Sequence, residues 1–60
     1  MTYGEGLTLA NIGRMYAEQN DSEQATKYWL EAQRVLAALE VPEAQEVTAW
    51  LAELEKDAHE

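Results

Sequence analysis

The sequence predicts an all-α chain: an antiparallel helical hairpin followed by a third helix, in one domain covering residues 1–60. Three observations predict it. Ala, Glu, Leu and Gln, all good helix formers, dominate the composition, while isoleucine occurs once and phenylalanine is absent. Apolar residues recur at helical spacing in three separate stretches. The polar run Glu18-Gln19-Asn20-Asp21 and the lone proline, Pro42, divide those stretches.

The first helix is predicted over residues 3–19. Thr2 and Glu5 have the spacing of a capping box, in which each side chain caps the other's backbone N–H. Gly4 and Gly6 weaken the first turn, which is expected to fray. Leu9, Ile12 and Tyr16 follow at helical spacing with Met15 beside them. Asn20 is suited to the left-handed conformation that ends a helix.

A second helix is predicted over 22–40. Asp21 is its N-cap candidate, with Gln24 three residues on. Ala25, Tyr28, Trp29, Ala32, Val35, Leu36 and Leu39 form its apolar stripe, and Glu23, Lys27 and Glu31 mark a solvated side. The third helix, 42–58, opens on Pro42, which suits a first helical turn. Val47, Trp50, Leu51, Leu54 and Ala58 share one face of it. Both connections are short, so successive helices are antiparallel neighbours.

Size then constrains function. A 60-residue chain buries only about 60% of its unfolded surface, and chains this small lean on disulfides, metal or association. No cysteine is present and His59 is the single histidine, so thiolate sites and imidazole clusters are excluded. Association is the remaining support.

Charge narrows the choice of partner. The net charge is −8, and its distribution is uneven. Residues 1–39 carry five acids and three bases, whereas residues 40–60 carry seven acids and only Lys56. Such a chain is not expected to bind nucleic acid or an anionic membrane. No apolar run approaches the ~18 residues of a membrane span. The N-terminal residues lack a basic region leading into an apolar one, so a cytoplasmic setting is expected.

One constellation carries more information. Interior glycine costs about 1 kcal/mol against alanine, so Gly13 calls for a reason. Around it the chain reads L-x-x-I-G-x-x-Y from Leu9 to Tyr16, then Ala25, then Trp29 four residues later, then Ala32. Small Gly13, Ala25 and Ala32 would let two helices cross closely while Leu9, Ile12, Tyr16 and Trp29 fill the flanks.

This pattern resembles the tetratricopeptide signature, W-x-x-L-G-x-x-Y followed by A-x-x-x-F and a proline, over residues 7–39. It departs from it in two places. Ala37 stands where the family's proline falls, and Pro42 comes later, as in repeats of about 40 residues. At an offset of 38, Leu51 replaces Gly13, so the third helix reads as a terminal cap rather than a second hairpin.

The resemblance implies a right-handed α–α superhelix and a scaffold that binds protein or peptide along its first helices. Leu7, Ala10, Arg14, Ala17 and Glu18 would line that groove. Arg14 is the only base among them, which gives no support to a clamp for a peptide carboxylate. Because a single repeat leaves both ends of the stack bare, self-association, with a dimer favoured, is expected. Val47, Trp50, Leu51 and Leu54 are the candidate interface, with Trp50 as anchor.

Catalysis and cofactors are not expected. Ser22 sits beside the cap Asp21 without a paired histidine. Glu43 and Glu46 belong to a helix first turn, where negative charge is favourable in any case. Asp57, His59 and Glu60 could be imagined around a metal but read as a solvated tail. The aromatic set Tyr3, Tyr16, Tyr28, Trp29 and Trp50 has the spacing of core or interface rather than of a ligand box. Two other readings stand beside self-association. One is an acidic adaptor that meets a basic protein surface through residues 40–60. The other is a designed or excised repeat unit whose only work is folding and stacking.

Overall fold

A computed structural model describes residues 1–58, with side chains through Lys56. It contains α1 (Tyr3–Glu18), α2 (Ser22–Ala38) and α3 (Glu43–Ala58), and no strand among the described residues. The chain is therefore all-α, a helical hairpin carrying a third helix. His59 and Glu60 lie outside the described residues.

Local chemistry sets the boundaries. Thr2 caps α1 with a complete capping box: its hydroxyl accepts from the Glu5 N–H at 3.2 Å, and the Glu5 carboxylate accepts from the Thr2 N–H at 2.8 Å. Asp21 caps α2 by accepting from the Gln24 N–H at 3.2 Å.

Helices α1 and α2 end alike. After α1, the N–H of Asn20 donates to Ala17 and that of Asp21 to Tyr16; after α2, Glu40 donates to Ala37 and Val41 to Leu36. These paired bonds are Schellman motifs, with Asn20 (φ 62°) and Glu40 (φ 56°) in the left-handed region. They stop α1 at residue 18 and α2 at residue 38, one and two residues before the sequence-based ends. Asn20 tolerates this conformation well, whereas Glu40 gave no warning of it. Val41 follows as the apolar residue of the second motif and packs on the core.

The contacts fix the directions of the helices. Gly13 lies against Trp29 and Gly6 against Leu36, so α2 runs antiparallel to α1. Gln33 of α2 donates to the Thr48 hydroxyl of α3 at 2.7 Å, while Thr26 and Leu30 share a groove with Leu51 and Leu54. Helix α3 thus returns along α2. The Tyr3 hydroxyl donates to the Glu43 carboxylate, which ties the start of α1 to the start of α3.

The main buried cluster joins all three helices: Ala10 from α1, Ala25, Trp29, Ala32 and Leu36 from α2, and Val47 from α3. Val35 is also buried but lies apart from that cluster. The core is small, as expected for a chain of this length.

Candidate functional site

The α1–α2 crossing is built from what is missing. A Cβ placed on Gly13 would stand 2.5 Å from Cδ1 of Trp29 and 2.7 Å from its Nε1, closer than real side chains approach. The indole is not free to step aside. It is 95% shielded, and its Nε1–H donates to the Ala10 carbonyl at 3.0 Å. Ala25 and Ala32, on either side of Trp29 along α2, are wholly buried. Gly13 and Trp29 thus meet directly, where the absent side chain makes room for a ring held by its own hydrogen bond, and Ala25 and Ala32 belong to the same buried cluster as that ring.

Sequence reasoning missed a second close approach. Gly6, expected only to loosen the first turn, is buried, and a Cβ there would lie 2.7 Å from Cδ2 of Leu36. The signal was present as Gly6-x3-Ala10-x2-Gly13, a stripe of small residues at helical spacing. The first turn is helical from Tyr3 onward, because α2 covers Gly6 and the capping box holds the end.

Leu9 and Tyr16 pack against the buried cluster from one flank of the crossing, and Ile12 lies on the same side of α1. They are half-buried on the edge of α1 away from α3, facing the matching edge of α2 that carries Tyr28, Val35 and Leu39. Tyr16 and Tyr28 stack there with ring centroids 5.6 Å apart and planes 11° from parallel. Met1, 69% exposed, reaches both helices of this edge, lining one hollow with Val35 and Leu39 and another with Leu9.

The expected groove on α1 is largely occupied. Ala10 is buried under Trp29, and Leu7 packs on the core and lines a cavity of about 170 Å³ with Val47 and Trp50. Ala17 is half-buried against the same core, which leaves only Arg14 and Glu18 exposed. The five residues do not form an open strip, because α3 leans over the part nearest Leu7 and Ala10.

The expected oligomer interface is used within the chain. Val47 is 1% exposed, so it has no surface to offer a partner. The Trp50 ring lies 5.6 Å from that of Trp29, and Leu51 and Leu54 pack on the core. This face of α3 docks the helix onto the hairpin. The more exposed apolar side chains are Met1, Leu30 (49%), Met15 (47%), Tyr3 (43%) and Leu39 (39%), all on α1, α2 or their ends.

Hydrogen bonds shift three titrations. The Tyr3 hydroxyl holds the Glu43 carboxyl below its ordinary value, and the same bond raises the Tyr3 phenol. Glu5 is lowered by the Thr2 N–H and then by the Thr2 hydroxyl. Among the described residues, no group of three or more His, Cys, Asp or Glu side chains is placed to hold a metal ion, and no helix is long and apolar enough to cross a membrane. These features define a small three-helix unit whose candidate sites are apolar surfaces between and beside helices. Comparison with known proteins finds no matching family, no similar characterised protein and no similar solved structure.

Proposed function

We propose that the chain is a non-enzymatic protein-interaction unit of tetratricopeptide-like build that associates with itself through an exposed apolar helix face. One observation carries this reading. Helix α3 covers one edge of the α1–α2 hairpin, and among the described residues no helix covers the other, where Leu9, Ile12, Tyr16, Tyr28 and Leu39 are left half-buried or exposed. In stacked helical repeats each unit covers its neighbour's apolar side, which is the role an edge of this kind would serve. The close crossing at Gly13, Ala25 and Ala32 supports the repeat-like build. Light scattering over a wide concentration range tests the proposal. Average mass should rise reversibly above 6.8 kDa, and a constant 6.8 kDa would overturn it.

A second reading has its own support. The cavity between α1 and α3 has an apolar floor of Leu7, Ala10, Leu36, Val47 and Trp50, with Glu43 and Glu46 at its lining. That combination suits the acidic-adaptor role, in which a basic partner meets the acid-rich third helix. Binding of a Lys-rich peptide that weakens steeply between low and moderate salt would favour it.

A further inference from the structure

Resting on the self-association reading above, we infer that two copies pair face to face through the uncovered hairpin edge, related by a two-fold axis, with both α3 helices on the outside. The edge is apolar at its centre and carries both signs of charge beside it. Its centre is the stacked Tyr16–Tyr28 pair, with Leu9 and Ile12 on one helix and Val35 and Leu39 on the other. The charges beside it are mixed: Glu31 and Arg34 line the hollow that holds Met1, Val35 and Leu39, and Glu5 lines the one that holds Leu9. A two-fold axis can set Arg34 of one copy against Glu31 of the other, which offsets part of the acidic surplus that each edge brings.

The rest of the charge argues for the same arrangement. Each copy carries −8, and residues 40–60 hold seven of its twelve acids. Glu43, Glu46, Glu53 and Glu55 lie on α3, on the far side of the hairpin from this edge. Pairing through the hairpin keeps the two acidic helices apart, and pairing α3 to α3 would press them together. A head-to-tail stack, with the Leu30–Leu51–Leu54 groove of one copy against the hairpin edge of the next, does not close and would grow. The edge offers about ten residues a side, fewer than the ~20–30 of a standard interface, so the pairing is reversible and concentration-dependent. Since the two copies repel at long range, added salt should tighten the dimer, opposite to the effect on a charge-driven contact.

Sedimentation equilibrium of the full chain and three variants tests this. Wild type should plateau at twice 6.8 kDa, with dissociation weakened several-fold between low and moderate salt. Ile12→Glu should stay monomeric at concentrations where wild type is paired, with its helical circular dichroism retained. Should Ile12→Glu fail to fold, Leu39→Glu, at a more exposed position, should give the same result. Leu30→Glu, on the opposite edge, should pair as wild type does. Growth beyond two copies, loss of pairing in Leu30→Glu, or salt-induced dissociation would overturn the two-fold arrangement while leaving self-association standing. Wild type that is monomeric throughout would overturn both.

Discussion

Against α1, α2 presses Trp29 and two alanines onto a strip where Gly6, Ala10 and Gly13 supply almost no side chain. Against α3, it meets Val47, Trp50, Leu51 and Leu54, which are bulky and, apart from Val47, still partly open to solvent. The first contact brings backbones close and has no slack, so an added atom harms it. The second is formed by large side chains with room beside them, so it is harmed by deletion. Interfaces of these two kinds respond in opposite ways to changes in volume.

Trp29 serves both contacts, and its loss should have the largest effect. Trp29→Ala removes the ring that fills the Gly13 gap, packs beside Trp50 and hydrogen-bonds Ala10. The expected cost is about 3–5 kcal/mol, comparable to the whole stability of a chain this small. Urea titration followed by circular dichroism should find the variant largely unfolded in buffer. A cooperative transition near that of wild type would mean that the crossing is not the centre of the fold.

The two glycines sharpen the comparison. Gly13→Ala should cost about 1–3 kcal/mol despite alanine's better helix propensity, because the Trp29 ring cannot yield. At Gly6 a Cβ would stand 2.7 Å from Cδ2 of Leu36 and 3.1 Å from Cγ1 of Val35, both buried side chains, though aliphatic tips give more readily than a ring held by its own hydrogen bond. Gly6→Ala should therefore also destabilise, but by less than Gly13→Ala, because the propensity gain of about 1 kcal/mol offsets more of the crowding. Equal losses in the two variants would show that the crossing is no tighter at one end than at the other.

Much of this was legible in the chain, for identifiable reasons. Thr2, Glu5, Asp21 and Asn20 act within a few residues of themselves, so their caps and turn could be read from spacing alone. Gly13, Ala25 and Ala32 were legible because a costly glycine and two matched alanines repeat at helical intervals. Gly6 was passed over because a glycine near a helix start has a local explanation, and its partner Leu36 is thirty residues away. The interface residues on α3 could not be sorted from the sequence. Val47 and Leu39 are both apolar residues on amphipathic helices, and only the docking of α3 decides which edge of the hairpin stays uncovered.

The smallest expected effect belongs to the Tyr3–Glu43 bond that links the starts of α1 and α3. Because it lowers the Glu43 carboxyl from its ordinary value, its stabilisation is present above that ordinary value and lost as pH falls through the lowered one. Because it raises the Tyr3 phenol from 10.0, the contribution is present below pH 10 and lost as pH rises through the raised value. Both groups are exposed, so the effect on stability should be slight. Tyr3→Phe should return the Glu43 carboxyl upward to the ordinary range in an NMR titration. An unchanged Glu43 titration would show that the bond is not maintained in solution.

Native-state amide hydrogen exchange, read residue by residue at a concentration where the chain is monomeric, measures the difference between the two contacts directly. Helical amides of α1 and α2 around Gly13, Trp29 and Ala32 should be the last to exchange, and those of α3 should open at distinctly lower free energy. Protection in α3 equal to or above that at the crossing would contradict the claim that the side-chain-free contact between α1 and α2 holds this molecule together.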